Sequence, residues 1–147
     1  MSYQKIIIVG NLGRDPEMRY TGSGTPVTSF SVATNRRWTN QDGSPGEETV
    51  WFRVSAWRRL AETTAQYLSK GRQVMVEGRL RPDPETGGPR VYQRQDGSWG
   101  ASFEITANRV IFLQGGNGPQ GGGRQQGQQG QQGGPDYSME DEGDIPF

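Results

Sequence analysis

A low-complexity stretch that starts at Gln114 limits how much of this chain can fold. From residue 114 to residue 135, 18 of 22 residues are Gly or Gln, and none is Leu, Ile, Val or aromatic. Such a segment buries too little apolar surface to offset the conformational entropy that ordering removes. We therefore predict one folded domain at residues 1–113, a disordered linker at 114–138 and an acidic tip at 139–147.

Short runs rich in β-branched and aromatic residues, separated by turn residues, make up most of residues 1–113. They predict five strands, at Tyr3–Val9, Val27–Thr34, Thr49–Ala56, Gln73–Leu80 and Phe103–Phe112. The run RLAETTAQYLSKG between the third and fourth strands predicts a helix, with Lys70-Gly71 as its basic last turn and stop. Five strands with a helix in this place are the order of an OB-fold barrel, whereas a sandwich needs about seven strands. The predicted class is therefore all-β with one short helix.

The residue types make no case for catalysis or for a metal site. Cysteine and histidine are both absent, which removes thiolate and imidazole ligands and the commonest general base. The stretch IIIVGNLG ends a strand with glycines but lacks the spacing of a nucleotide-binding loop. We predict no catalytic residue, no metal, no cofactor and no enzymatic activity. No apolar run approaches the ~18 residues of a membrane span, so a cytoplasmic protein without a membrane partner is expected.

The charge is divided between the two parts of the chain. Residues 1–113 hold 15 Lys and Arg against 11 Asp and Glu, a net charge of +4, and residues 114–147 carry −4. A basic body favours a polyanionic partner, and an acidic tail would compete with that partner at low salt.

Aromatic residues stand beside arginines at four places in the domain. A surface that pairs exposed rings with cations grips an unpaired nucleic-acid strand, since bases offer flat π-faces and phosphates offer charge. Tryptophans of this kind also fill cores. Trp51 and Arg53 share strand parity, however, so Trp51 is predicted on the wet face and Phe52 in the core. The four places are Trp38 after Arg36-Arg37, Trp51 before Arg53, Trp57 before Arg58-Arg59, and Tyr92 between Arg90 and Arg94.

Four segments together resemble the bacterial single-stranded DNA-binding protein family. They are IIIVGNLGRDPEMRY, TVWFRVSAW, AQYLSKGRQVMVEGRLR and the terminal DIPF. The resemblance implies an OB-fold that forms a homotetramer, associates with the nucleoid and wraps single-stranded DNA without sequence preference. It implies base stacking by Trp38, Trp51 and Trp57. The fourth stacking residue is Tyr92 or Trp99, because PDPETGGPR (82–90) looks inserted nearby. It also implies phosphate contacts by Lys5, Arg19, Arg53, Lys70 and Arg81, although Lys70 has capping of the helix as an alternative role.

The tip MEDEGDIPF is implied to dock DNA replication, recombination and repair proteins. We expect Phe147 and Ile145 to fill an apolar pocket on the partner, Pro146 to hold them extended, and Asp144 to steer the approach. The alternative is an acidic solubilising tail, which does not explain the apolar end. Gly143 interrupts the acidic run, which is a departure from the family.

Two other functions fit the same barrel. One is an RNA-binding OB-fold protein of the cold-shock type, although such domains carry clustered Phe and His motifs that this chain lacks. The other is a primosome or recombination accessory factor with little DNA affinity of its own.

Overall fold

The computed structural model describes residues 1–113, which form seven strands and one helix. The elements are β1 Ile6–Leu12, β2 Glu17–Tyr20, β3 Pro26–Thr39, β4 Pro45–Trp57, α1 Arg59–Tyr67, β5 Gln73–Leu80, β6 Arg90–Gln93 and β7 Trp99–Phe112. No helix in this part of the chain is long and apolar enough to cross a membrane. Within the same residues, no group of three carboxylates comes together to hold a metal ion.

Five of the strands close into a barrel, in the order β1-β5-β7-β4-β3. Closure occurs at β1, which pairs with β5 from Ile6 to Asn11 and then with β3 at Asn11 and Leu12. All pairings are antiparallel except that between β4 and β7. This is the closed five-stranded barrel with one short helix that the sequence predicted.

The barrel is filled by the inward-facing residues of its five strands. The alternation of side chains along a strand sends every second residue to this interior. Burial there is nearly complete for the β-branched residues of β3, β4, β5 and β7. The core comprises Ile8, Leu12, Phe30, Val32, Val54, Ala56, Leu68, Val74, Val76, Ile105 and Ala107, with Ile6, Phe52, Leu60 and Val110 packed against it.

The helix covers one side of the barrel next to β3 and β4. Its Ala61 and Thr64 are buried, and the buried Thr28 hydroxyl of β3 donates to the Ala61 carbonyl at 2.6 Å. The helix ends at Tyr67. The sequence had predicted that it would continue to Lys70. Leu68 turns into extended backbone while its N–H still bonds the Thr64 carbonyl. Lys70-Gly71 therefore belongs to the turn that leads into β5.

The first strand was predicted to stop before Gly10, and this was wrong. Gly10 lies inside β1, on the inward face where β1 crosses β3. A Cβ at this position would overlap the backbone carbonyl of Ala33 and the side chain of Val32. Glycine therefore permits the close crossing that closes the barrel.

Two short strands, β2 and β6, were not predicted. β2 adds to the edge of β3, and β6 pairs with the first residues of β7. All four residues of each are exposed. Neither strand contributes to the core, so neither carries the apolar alternation that identified the other five.

Candidate nucleic-acid interface

The outer face of β4 carries two tryptophans with an arginine between them. Trp51, Arg53, Ser55 and Trp57 alternate with the inward residues Phe52, Val54 and Ala56. Residues two apart on a strand lie about 7 Å from each other. Trp51 is 53% exposed and Trp57 is 39% exposed, which confirms the exposure that strand parity predicted for Trp51. We call Trp51, Arg53, Ser55 and Trp57 the β4 strip.

The neighbouring residues of β3 leave this strip uncovered. The residues paired with Trp51, Arg53 and Ser55 are Ala33, Ser31 and Ser29, whose side chains are short. Trp57 pairs with Val27 of β3, and Val27 pairs on its other side with Arg19 of β2. Arg19 and Trp57 therefore share one face, two strands apart, at the end of the strip. A flat ligand laid on β4 meets the rings and cations before it meets backbone.

The β3–β4 hairpin extends beyond the barrel and presents Trp38. Its indole N–H donates to the Asn40 side-chain oxygen at 2.8 Å. The Arg36 guanidinium lies 5.4 Å from the ring centre, within the range of a cation–π contact. Trp38 is 39% exposed. Since Trp38 pairs with Gly46 and Trp51 with Ala33, alternation puts the two rings on opposite faces of this ribbon.

The β6–β7 hairpin presents Tyr92 and Trp99 on opposite faces. Tyr92 pairs with Gly100 and has the Arg94 guanidinium 5.8 Å from its ring centre. Trp99 lies on the other face of the hairpin and is 69% exposed, against 44% for Tyr92. Tyr92 and Arg90 share their face with Glu104 of β7, the register partner of Arg53. The ring of Tyr92 is therefore on the same side of the sheet as the β4 strip.

Three of these rings lie against glycines. A Cβ on Gly46 would overlap the Trp38 ring, and one on Gly13 would come within 2.5 Å of Trp51 Cζ3. A Cβ on Gly100 would lie 2.9 Å from Tyr92 Cζ and from Arg94 Nη2. Backbone without a side chain thus supports one side of each ring.

The predicted phosphate-contacting cations differ in their charge partners. The Lys5 ammonium pairs with Glu77 at 2.7 Å, and the hydrogen bond and charge of Glu77 raise the pKa of Lys5. The same hydrogen bond lowers the pKa of the Glu77 carboxyl. Among residues 1–113, no carboxylate forms an ion pair with Arg19, Arg53, Lys70 or Arg81. These four cations are open to a phosphate, whereas Lys5 would have to share its charge with Glu77.

Lys70 and Arg81 lie at the two ends of β5. The backbone N–H of Lys70 donates to Asp15 at 2.8 Å, and that of Arg81 to the Glu104 carbonyl at 2.8 Å. Both side chains are exposed. Because the helix stops at Tyr67, Lys70 is not in its last turn.

The sequence prediction missed the residues that hold the rings. They are Gly13, Gly46, Gly100 and Asn40, whereas Arg36 and Arg94 had been named beside the rings that they contact. One signal was available, since residues 38–46 (WTNQDGSPG) and 92–100 (YQRQDGSWG) share Gln-Asp-Gly-Ser and a final glycine at the same spacing. The partner-docking residues Asp144, Ile145, Pro146 and Phe147, like the linker 114–138, lie outside the described residues.

Sequence comparison finds relatives of this chain among proteins named single-stranded DNA-binding protein. The chain is 42% identical over 122 residues to the single-stranded DNA-binding protein of Neisseria meningitidis serogroup A, covering 83% of this chain and 66% of the relative. It is 43% identical over 111 residues to that of Xanthomonas axonopodis pv. citri, covering 76% of this chain and 58% of the relative. The match therefore spans less than two thirds of either relative.

A solved structure, the Plasmodium falciparum SSB complex with ssDNA, superposes with a TM-score of 0.62 at 27% identity. It covers 77% of this chain and 97% of that one. The sequence model of the Single-strand binding protein family matches residues 3–113. The chain belongs to the Single-strand binding protein family.

Proposed function

We propose that this chain binds single-stranded DNA without sequence preference, by stacking bases on Trp38, Trp51, Trp57 and Tyr92. The observation that carries the proposal is the β4 strip, where two exposed rings flank an arginine that pairs with no carboxylate of residues 1–113. Arg19, Arg53, Lys70 and Arg81 contact phosphates, and Lys5 does so in exchange with Glu77. The chain acts by binding alone, without a catalytic step.

The path of the strand follows from the faces that the rings occupy. Trp51 and Trp38 lie on opposite faces of the β3–β4 ribbon, so a strand that stacks on both passes around the ribbon. The relatives named as single-stranded DNA-binding proteins support the choice of ligand. So does the neighbour solved with single-stranded DNA.

A titration of tryptophan fluorescence with oligo(dT) tests this function. We expect strong quenching that saturates at many nucleotides per chain and weakens as salt rises. Absence of quenching at low salt would rule the proposal out and favour an accessory factor with little DNA affinity. A parallel titration with poly(rU) separates DNA from RNA preference, and equal or tighter binding of poly(rU) would favour the RNA-binding alternative.

We also propose that the chain assembles as a homotetramer through the outer face of β1, β5 and β7. Val9, Met75 and Ile111 are register partners and form an apolar row across these strands, with Val9 and the nearby Ile7 exposed. The other edge of β1 pairs with β3 only at Asn11 and Leu12, which leaves Ile6–Gly10 open. An open edge beside an apolar row favours pairing with a second copy. Light scattering should give four times the chain mass, and Val9→Glu should reduce that mass; a monomeric wild-type chain would contradict the proposal.

For the tip, we propose docking of DNA replication, recombination and repair proteins by residues 139–147. The support is the sequence pattern, in which acidic residues precede Ile145, Pro146 and Phe147. Phe147→Ala should abolish binding to a purified replication or repair enzyme while oligo(dT) affinity stays unchanged. If the wild-type chain and Phe147→Ala bind the enzyme equally, the tip is better explained as a solubilising tail.

A further inference from the structure

Two hairpins of this protein are copies of one nine-residue element. Residues 38–46 and 92–100 align without gaps, and five positions are identical: Gln41/Gln95, Asp42/Asp96, Gly43/Gly97, Ser44/Ser98 and Gly46/Gly100. The first position holds an aromatic residue in both copies, Trp38 and Tyr92. The first copy joins β3 to β4 and the second joins β6 to β7. We call them ring hairpins.

The hydrogen bonds of the two turns are the same. In the first, Asn40 N–H donates to the Ser44 carbonyl at 2.8 Å and Gly43 N–H to the Asn40 carbonyl at 2.9 Å. In the second, Arg94 N–H donates to the Ser98 carbonyl at 2.8 Å and Gly97 N–H to the Arg94 carbonyl at 3.0 Å. The glycines of the two turns have φ of 83° and 84°. This backbone conformation favours glycine.

The side chains repeat as well. Asp42 Oδ1 accepts from the Ser44 N–H at 2.9 Å and from its hydroxyl at 2.6 Å, and Asp96 accepts from Ser98 at the same two distances. Asn40 Nδ2 donates to the Ser44 hydroxyl at 3.0 Å, as Arg94 Nη1 does to that of Ser98 at 3.3 Å.

The third position of each copy also holds the ring. Asn40 accepts from the Trp38 indole N–H, whereas Arg94 places its guanidinium over Tyr92. Arg94 is itself fixed by a hydrogen bond to the Trp99 carbonyl at 2.9 Å. Asn40 and Arg94 therefore hold the ring at the same position of the hairpin through different interactions.

A third hairpin shows that the turn alone does not require the ring or the last glycine. Between β2 and β3, Thr21 N–H donates to the Thr25 carbonyl and Gly24 N–H to the Thr21 carbonyl, both at 2.9 Å. Gly24 has φ of 80°. The positions that correspond to Trp38 and Gly46 are occupied by Arg19 and Val27, which are also register partners. Since Val27 occupies this position in the third hairpin, the backbone conformation of the turn does not require Gly46 or Gly100.

We propose that each ring hairpin is a preformed platform for one unpaired nucleobase, in which Gly46 and Gly100 are positioning residues. The ring lies on bare glycine backbone, the third residue holds it there, and its exposed part receives the base. This proposal rests on the proposed function and identifies Tyr92, not Trp99, as the ring of the second platform. Fixing a side chain before binding reduces the ordering penalty of association.

The test is a mutational cycle on the full-length chain, with fluorescein-labelled oligo(dT) anisotropy as the measurement. Gly46→Ala and Gly100→Ala should each weaken binding about two- to tenfold, the share of affinity that an immobilised side chain is worth. Tyr92→Ala should weaken it about five- to hundredfold. In a chain that already carries Tyr92→Ala, Gly100→Ala should cause no further loss of oligo(dT) affinity. Gly46→Ala should likewise cause no further loss in a chain that carries Trp38→Ala. The matched control is Gly22→Ala in the third hairpin, where a Cβ meets nothing within 4 Å, and it should leave affinity unchanged.

Two outcomes would overturn the proposal while oligo(dT) binding itself persists. One is that Gly100→Ala weakens binding equally with and without Tyr92. The other is that Tyr92→Ala has no effect, and a loss of affinity in Trp99→Ala would then identify Trp99 as the stacking ring. If the wild-type chain does not bind at all, the proposed function fails instead. Should a variant unfold, NMR of the wild type decides the geometry, because ring currents shift the Hα resonances of Gly46 and Gly100 upfield and ordinary shifts would contradict the platform.

Discussion

Trp51 and Arg53 are adjacent on the β4 strip, yet the proposed function gives them different physical roles in binding DNA. A ring stacks on a base, which is nearly independent of salt, whereas a guanidinium releases counterions from a phosphate. Arg53→Gln should therefore make the negative slope of log K against log[salt] shallower by about 0.7. Trp51→Ala should weaken binding by about 1–3 kcal/mol with an unchanged slope. Oligo(dT) titrations at four salt concentrations measure both.

The aromatic control for this pair is Tyr67→Ala, since Tyr67 is exposed on α1 with its ring against Phe112 of β7. It should change neither affinity nor slope. Equal losses for Tyr67→Ala and Trp51→Ala would mean that any exposed ring serves, and the β4 strip would lose its special role.

The aspartates of the ring hairpins give a prediction in acid. Hydrogen bonds from Ser44 and Ser98 hold the pKa of the Asp42 and Asp96 carboxyls below the ordinary value of 3.8. A lowered pKa in the folded state means that the carboxylates stabilise the fold above pH 3.8. That contribution is lost as pH falls through the folded pKa. Ser98→Ala should raise the pKa of Asp96 toward 3.8 and leave Asp42 unchanged, and NMR titration of the carboxyl carbons measures both.

At the same scale, the sequence predicted exposure better than it predicted charge pairing. The parity of Trp51 and Arg53 is local, so it was visible in TVWFRVSAW. The partner of Lys5 is Glu77 on β5, which the antiparallel pairing of β1 with β5 brings near Lys5. An ion pair between distant strands leaves no local pattern, and Lys5 therefore looked as free as Arg53.

At the scale of elements, the barrel strands were predictable and the ribbons were not. Core strands carry one buried face, and Gln73–Leu80 was predicted with the observed bounds. β3 and β4 run on past the barrel to Thr39 and back from Pro45, where both faces meet water. A two-sided polar ribbon has no hydrophobic period, so the end of a strand there cannot be read from the sequence.

The junction between β4 and α1 contains a strained residue. Arg58 has φ 58° and ψ −128°, and it is the sole non-glycine residue with positive φ in residues 1–113. Such a conformation costs about 1–3 kcal/mol, and glycine adopts it freely. Arg58→Gly should therefore unfold in urea with a free energy about 1 kcal/mol higher than Arg58→Ala. The alanine variant removes the same charge, so an equal or higher stability for Arg58→Ala would show that the backbone is relaxed.

At the scale of the whole molecule, the order of strands and helix along the chain was enough to predict the barrel fold. Strands and helix in the predicted order leave few arrangements, because sequential elements pack beside each other and a barrel removes free edges. The register did not follow from that order. It depends on crossings such as that of Gly10 over Ala33, which involve residues far apart in the chain.

The division of charge between the body and residues 114–147 gives the last prediction. The tail carries −4 and the described body +4, so we expect the tail to compete with DNA for the arginines that pair with no carboxylate of residues 1–113. The coil that the sequence predicts for about 25 Gly-rich residues would have a root-mean-square span of roughly 25–30 Å, enough to reach the domain. Deleting residues 139–147 should tighten oligo(dT) binding at low salt and have little effect at high salt, because ions screen exposed charges beyond about 10 Å at 0.1 M. A chain in which Glu140, Asp141, Glu142 and Asp144 become Gln, Asn, Gln and Asn should behave like the truncation. If instead it binds like the full chain while the truncation binds more tightly, the apolar end and not the charge is what competes.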